Sequence, residues 1–181
     1  MESDYIYVPS IELQVSRETS LHGKNWYETH DFLEGDGERM LTPSEFAEFL
    51  RYAKENHQDI YNEIIELGKS WSLEWIDAYF EQREDSLYVL TGNKTKEEKL
   101  DENTLMEDKQ ISLESWIENL TSQGLPSKET KSGNLYYWYP RSNSVAGFGV
   151  ASGRAVLDGR GIPLDYSLSL GVRAARSKLK I

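Results

Sequence analysis

Histidine is the residue type in this chain best suited to metal binding. The three histidines, His22, His30 and His57, lie in separate segments, and none has a carboxylate at the spacing of a metal site. Nothing in their positions favours a ligand set over ordinary structural use. We therefore expect surface or capping roles for all three.

The carboxylates offer two possible acid–base pairs and one acidic loop. Asp31 with Glu34, or Asp77 with Glu81, could form a pair of the glycosidase kind, but nearly every acidic protein contains such pairs. The loop Lys94–Asp108 lacks the Asp-x-Asp-x-Asp-Gly framework of a calcium site and is predicted to be a solvated charged segment. No nucleophile elbow, P-loop or dinucleotide fingerprint is present. The sequence thus predicts no catalytic residue, no metal site and no cofactor.

Composition narrows the class of protein. The 181 residues carry a net charge of −11, which argues against nucleic-acid binding because a phosphate backbone demands a large basic footprint. The absence of cysteine excludes disulfides, thiolate metal sites and cysteine nucleophiles. The N-terminus lacks the pattern of a signal peptide, and no apolar run is long enough to span a membrane. We expect one soluble domain over residues 1–181, cytoplasmic or virion-associated, without membrane insertion.

Capping patterns predict the helices. Asn25 precedes a short helix over Trp26–Glu34, Thr42 and Glu45 form a capping box, and Ser112 begins a later helix. A further short helix is expected from a cap at Asp59, with Ile60, Ile64 and Leu67 inward. The five tryptophans are predicted to pack in or near the core; they are Trp26, Trp71, Trp75, Trp116 and Trp138.

Alternating apolar residues between turn signals predict short strands. Tyr5–Val8 and Ile11–Val15 alternate around Pro9 and are expected to form one edge strand or two short ones. The other predicted strands are Trp75–Phe80, Leu87–Leu90, Leu135–Tyr139, Val145–Val150, Arg154–Asp158 and Leu168–Ala174. Trp75–Phe80 and Leu87–Leu90 are expected to form a hairpin, and Asn93–Glu107 to be a loop. Helices and a hairpin followed by a meander of short antiparallel strands indicate an α+β domain.

The segment from Tyr139 to Ser177 has an unusual composition. Its 39 residues contain no Lys, Glu, Gln, Met or Trp, whereas residues 1–138 contain 43 of them. The excluded set mixes a cation, an anion, an amide, a thioether and an indole, so it is not a polarity class. Arg and Asp, the nearest equivalents of Lys and Glu, are present. Solubility and strand propensity therefore do not explain the depletion.

Alternation within this segment predicts two sets of positions. The inward set is expected to pack in the core and comprises Ala146, Phe148, Val150, Ala155 and Leu157. The outward set is chemically mixed and comprises Gly147, Gly149, Ala151, Arg154, Val156 and Asp158. A solvent face selected for stability would favour Thr, Lys, Glu and Tyr instead.

Several motifs in the last third of the chain resemble the variable proteins of diversity-generating retroelements, in their archaeal and archaeal-virus branch. The motifs are Gly124-Leu125-Pro126, the run from Gly133 to Arg141, Ser144-Val145-Ala146-x-Phe148, Ala155-x-Leu157 and Leu170-Gly171-Val172-Arg173-Ala174. The resemblance implies a C-type lectin fold of the formylglycine-generating-enzyme type. In that family an error-prone reverse transcriptase mutates template adenines, mostly in asparagine codons that end in a pyrimidine. Such codons cannot become any of the five missing residue types.

The resemblance also implies a division of roles within a diversified region at about residues 142–176. The framework positions would be Ser144, Val145, Ala146, Phe148, Val150, Ser152, Ala155, Leu157, Pro163, Leu170, Gly171, Val172 and Arg173. The ligand-binding variable positions would be Gly147, Gly149, Ala151, Gly153, Arg154, Val156, Asp158, Arg160, Gly161, Ile162, Leu164, Asp165, Tyr166, Ser167, Leu168 and Ser169. By residue type, Tyr166, Arg154 and Arg160 are the expected hot spots.

The function that follows is recognition without catalysis, by a C-terminal surface that is diversified to bind changing targets, expected to be proteins. An enzyme of the formylglycine-generating superfamily shares the implied fold, but its chemistry relies on cysteines and copper, and this chain has no cysteine. A calcium-dependent lectin would carry Glu-Pro-Asn or Gln-Pro-Asp and Trp-Asn-Asp, which are absent. A structural or virion protein with no diversified site is the remaining alternative.

Overall fold

A small antiparallel sheet joins the two ends of the chain. The structure is a computed structural model that describes residues 3–66 and 71–178. Strands β1 (Tyr5–Val8) and β2 (Leu13–Ser16) are linked by a 3-10 turn at Pro9–Ile11, and β2 also pairs with the last strand, Ala175–Ser177. Of the two arrangements expected here, the structure shows two short strands, and the second begins at Leu13 because Ile11 lies in the 3-10 turn. Pro9 ends the first of them because proline lacks the N–H that a continuing ladder needs.

Four helices occur among the described residues. They are α1 (Trp26–Gly35), α2 (Pro43–Asn56), α3 (Gln58–Ile65) and α4 (Leu113–Glu118). The caps expected at Asn25, Thr42 and Ser112 are confirmed, since each side chain accepts a backbone N–H three residues on. Each cap satisfies a donor that the first helical turn leaves without a partner.

The start of α3 was predicted wrongly. The helix begins at Gln58 after His57, whose side chain makes no capping hydrogen bond, so Asp59 lies inside the first turn. There a carboxylate still interacts favourably with the helix dipole. Ile60 and Ile64 are buried as expected, and Leu67 lies outside the described residues.

The larger sheet contains eight strands. They are β3 (Ser72–Arg83), β4 (Ser86–Thr91), β5 (Lys96–Lys99), β6 (Lys109–Ile111), β7 (Leu135–Trp138), β8 (Ser144–Ala151), β9 (Arg154–Gly161) and β10 (Leu170–Gly171), and the last strand of the small sheet is β11. Their order is β5-β4-β3-β8-β9-β7-β6, with β10 beside β3. The predicted hairpin of β3 and β4 is confirmed.

Three predictions about this sheet need correction. The segment Asn93–Glu107 is not all loop, because its charged residues Lys96–Lys99 form the edge strand β5. Charged side chains suit such an edge because they discourage pairing with other chains. The strands are not a simple antiparallel meander, because β7 lies parallel to β9 and β10 parallel to β3. The predicted strand Leu168–Ala174 is shorter, and only Leu170–Gly171 belongs to the large sheet.

Two apolar clusters lie on opposite faces of the large sheet. The larger one packs α2, α3 and α4 against inward residues such as Phe80, Phe148 and Leu157. The smaller one packs Trp26 and Leu33 of α1 against Trp75. The chain is thus an α+β protein with mostly antiparallel mixed sheets. Helix α1 covers the second face of the sheet near β3. The candidate site lies on the part of this face that α1 does not cover.

Candidate ligand-binding face

Two cross-strand rows of residues define the open part of the second face. In the first row Trp75, Gly147, Asp158 and Trp138 pair in register across β3, β8, β9 and β7. In the second row Leu73, Gly149, Val156 and Tyr136 do the same. Paired residues in adjacent strands place their side chains on the same face. We call the surface formed by these two rows the aromatic face.

The middle of the aromatic face has no side chains, because β8 contributes Gly147 and Gly149 to it. Both glycines are buried rather than exposed, which corrects the expectation that they point freely outward. A Cβ at Gly147 would lie 3.2 Å from the Glu74 carbonyl oxygen, so a small side chain requires only a slight shift. A Cβ at Gly149 would lie 1.9 Å from the Ser72 carbonyl oxygen and cannot be accommodated without moving β3. Only Gly147 has the room that a variable position needs.

The register changes beside the first row. The β3–β8 pairing shifts between Ile76 and Tyr79, and the β8–β9 pairing shifts between Val145 and Gly147. Bulges of this kind bend a strand and redirect its side chains, and they are enriched next to functional sites. The Trp75–Asp158 row lies directly beside both irregularities.

The tip of the β8–β9 hairpin borders a cavity of about 310 Å³, lined by Tyr136, Trp138, Ala151, Ser152, Arg154 and Val156. Ser152 and Gly153 form the two-residue turn with φ of 53° and 72°, a combination typical of hairpin connections. Arg154 is exposed, as predicted, but Val156 is only 6% exposed. Val156 pairs with Tyr136 on one side and with Gly149 on the other, so it lies on the face opposite the inward residues, as predicted. The expectation that it is also exposed to solvent is wrong.

Arginines and aromatic rings alternate along the β7 side of the face. The rings of Tyr136 and Trp138 stack with centroids 5.4 Å apart, Arg154 lies 5.7 Å over Tyr136, and Arg160 lies 5.2 Å over Trp138. Arg160 also pairs with Asp108, with Nη2 2.6 Å from Oδ1. Such contacts hold a guanidinium in place. Arg160 is therefore part of the support for the site, whereas Arg154 remains accessible as a contact residue.

Asp158 lines a cleft of about 160 Å³ between β3, β9 and the segment that follows β9. Its Oδ1 accepts the backbone N–H of Arg160 at 2.8 Å. Burial raises the pKa of the Asp158 carboxyl above its ordinary value, the N–H and charge of Arg160 act in the opposite direction, and Asp108 raises it further. The result is a partly dehydrated carboxylate beside Trp71, Leu73 and Trp75.

The segment after β9 exposes a row of large apolar side chains. Ile162, Leu164, Tyr166 and Leu168 are 58–81% exposed. The intervening residues Pro163, Asp165, Ser167 and Ser169 are only partly exposed. The backbone is fixed at both ends, because Pro163 O accepts the N–H of Trp26 and Leu170 O accepts that of Gly23. Four exposed apolar side chains on a backbone held at both ends form an exposed hydrophobic patch of the kind found at interfaces.

The structure places nine of the sixteen predicted variable positions in the linings of the cleft and of the cavity at the hairpin tip. Gly147, Asp158, Arg160, Gly161, Ile162 and Asp165 line the cleft, and Ala151, Arg154 and Val156 line the cavity. Gly149 lies against the β3 backbone and belongs to neither lining. The predicted inward residues Ala146, Phe148, Val150, Ala155 and Leu157 are all buried, as expected.

Sequence reasoning missed the aromatic residues of this site. Trp71 and Trp138 are exposed rather than packed in the core, and Tyr136 borders the hairpin cavity. A signal was available for β7, since Leu135 and Tyr137 are buried and therefore place Tyr136 and Trp138 on the opposite face. Asp108, the partner of Arg160, is 52 positions away in the chain and no local pattern indicates it.

The histidines and carboxylates considered above lie as follows. Within residues 3–66 and 71–178 no group of three or more His, Asp or Glu side chains is placed to hold a metal ion. His30 is buried, not on the surface as expected, with Nε2 3.4 Å from Asp77 Oδ1. Asp77 accepts the backbone N–H groups of Gly92 and Asn93 and thereby fixes the turn after β4. Both residues serve packing and turn formation.

Comparisons with protein-family models, with curated proteins and with solved structures gave no match. In the part of the chain that the structure describes, no helix has the length and apolar character needed to cross a membrane. The function therefore has to be argued from the aromatic face and its surroundings.

Proposed function

We propose that this protein is a non-enzymatic recognition protein with a C-type lectin fold, whose C-terminal surface is diversified by a retroelement to bind changing targets. The observation that carries the proposal is the division of the compositionally depleted segment into two sets. Its inward residues on β8 and β9 form core, whereas residues such as Gly147, Asp158 and Arg154 line the two cavities and Ile162, Leu164, Tyr166 and Leu168 supply the exposed apolar row. A surface of this kind can change its residues while the core beneath stays the same.

The chemistry of the surface favours a protein as the target. Tyrosine, arginine, tryptophan and large apolar side chains dominate it, through Tyr166, Arg154, Trp138 and the exposed row. These residue types are enriched at protein–protein interfaces and supply most of their hot spots. The overall net charge of −11 disfavours a nucleic acid as the ligand.

The decisive test lies in the DNA next to the gene. A near-copy of the coding segment for residues 142–176 should lie beside a reverse-transcriptase gene, and the two copies should differ almost only where the copy has adenine. Differences scattered over all four bases, or the absence of any copy, would overturn the proposal.

A second test uses sequence variants from related isolates. Substitutions should concentrate at positions such as Gly147, Arg154, Asp158 and Tyr166, and avoid buried neighbours such as Phe148. Equal variation at the buried positions would contradict the division into framework and binding surface.

A further inference from the structure

The cleft around Asp158 has an unusual combination of walls. Its lining combines the apolar side chains of Trp71, Leu73 and Trp75 with the carboxylates of Asp158 and Asp165 and the guanidinium-bearing Arg160. Gly147 separates Trp75 from Asp158 in the cross-strand row and leaves the space between them empty of side chains. An apolar slot that ends at a carboxylate is complementary to a long side chain with a positive end.

The cation nearest to the Asp158 carboxylate, Arg160, lines the cleft and acts on Asp158 through its charge, but it already has another carboxylate as its ion-pair partner. Arg160 is the cation closest in sequence, but its guanidinium pairs with Asp108 and lies over Trp138 and Tyr139. Arg154 lies four residues away on β9, about 13 Å along the strand, and points over Tyr136. Asp158 accepts the backbone N–H of Arg160, whereas the Arg160 guanidinium is held by Asp108.

We propose that this cleft receives an arginine side chain of the protein partner, with its guanidinium against Asp158 and its methylenes against Trp71 and Trp75. The volume of about 160 Å³ accommodates one such side chain. Arginine suits the slot better than lysine because a guanidinium is more weakly hydrated and stacks on aromatic rings. The inference rests on the proposed function for the nature of the partner, but the cleft can be tested without that partner.

The probe is N-acetyl-arginine methylamide, added to the full chain and followed by tryptophan fluorescence and by the carboxyl NMR signal of Asp158. N-acetyl-citrulline methylamide is the matched control ligand because it has almost the same shape and no charge. We expect saturable binding of the arginine compound in the millimolar range, as is typical of so small a ligand, and at least tenfold weaker binding of the citrulline compound.

Two variants locate the site. Asp158→Asn should weaken binding of the arginine compound by at least about tenfold, which corresponds to about 1.4 kcal/mol. Asp85→Asn makes the same charge change in the β3–β4 turn, beyond the far end of β3, and should change binding by less than about twofold because exposed charges so far apart are screened. If Asp158→Asn does not fold, Gly147→Ser fills part of the slot and should weaken binding comparably.

Binding by the unaltered chain should also depend on pH. Protonation of Asp158 removes the negative end of the slot, so affinity should fall as the pH is lowered through the raised pKa of this carboxyl. Asp108, Arg160 and Asp165 are the charged groups that face it, and the Asp158 NMR signal separates its titration from that of the other carboxyls.

Three results would each overturn the inference: no saturable binding, equal binding of the citrulline compound, or unchanged binding by Asp158→Asn. Failure of the cleft alongside an adenine-biased near-copy of the gene segment would leave the proposed function intact. Binding in the cleft without such a copy would support the cleft as an arginine site and overturn the proposed function.

Discussion

Arg173 and Glu74 form an ion pair beneath the large sheet, with Arg173 Nε 2.9 Å from Glu74 Oε1 across 99 positions of sequence. Both side chains are almost fully enclosed. The guanidinium also donates to the carbonyl oxygens of Ser16 and Arg17. Through these bonds Arg173, near the end of the compositionally depleted segment, is linked to β3 and to the N-terminal sheet.

Glu74→Gln should lower the free energy of unfolding by about 3–5 kcal/mol, because it leaves a buried guanidinium without its counter-charge. Urea denaturation measures the change. Glu81→Gln is the matched control, since Glu81 pairs with Arg83 in a far more exposed position and its loss should shift the midpoint much less. Equal shifts in the two variants would show that burial does not strengthen the Arg173–Glu74 pair.

Asp158→Asn should stabilise the protein at neutral pH. Burial raises the pKa of Asp158 in the folded chain above its ordinary value of 3.8, so the folded state holds the proton more tightly than the unfolded state. The stabilisation from this difference is complete below pH 3.8 and is lost as the pH rises through the folded pKa. Thermal unfolding across this range should show the melting temperatures of the two proteins converging at low pH. A melting-temperature difference that does not change with pH would contradict this origin.

The exposed apolar row should contribute little to stability. Replacing Ile162, Leu164 and Tyr166 by serine should each change the free energy of unfolding by no more than about 0.5 kcal/mol, because these side chains already face solvent. Leu170→Ser, a little further along the same segment, should cost at least about 2–4 kcal/mol because Leu170 is buried against Trp75 and Val172. Chemical denaturation of the four variants separates surface from core. Comparable losses at all four positions would place the row in the core.

Gly147 and Gly149 should respond differently to the same substitution. Gly149→Ala should destabilise by about 1–3 kcal/mol or more, since the new Cβ would overlap the Ser72 carbonyl oxygen. Gly147→Ala should destabilise much less, because its Cβ would lie 3.2 Å from the Glu74 carbonyl oxygen, a close contact that a small shift of the backbone relieves. Melting temperatures of the two variants provide the comparison. A tolerant Gly149 would mean that β3 can move away from β8.

The helix starts were predictable from sequence because capping is local. Thr42, Pro43 and Glu45 contain all the chemistry of that helix start within four residues, and the structure shows both halves of the capping box. His57 shows the limit of this reasoning. It begins α3 without a side-chain hydrogen bond, so tertiary packing of Ile60 and Ile64 decides where that helix starts.

The aromatic face was only partly predictable, because strand partners are not encoded locally. Alternation identified Phe148 and Leu157 as core. It could not show that β7 lies parallel to β9 and so brings Tyr136 over Val156 and Trp138 beside Asp158. Nor could it show that the second face of β3 is covered by α1, which buries Asp77 and Tyr79. Exposure on a two-faced sheet depends on what packs against each face.

Because β2 pairs with β11, the small sheet can be completed only late in the synthesis of the chain. Residues 13–16 leave the ribosome early, but Ala175–Ser177 become available only after everything before them has been synthesised. If the intervening segment packs badly, β2 keeps one partner strand and presents a bare edge, which favours aggregation and degradation. Completion of the small sheet would thus act as a check on how well residues 17–174 have packed.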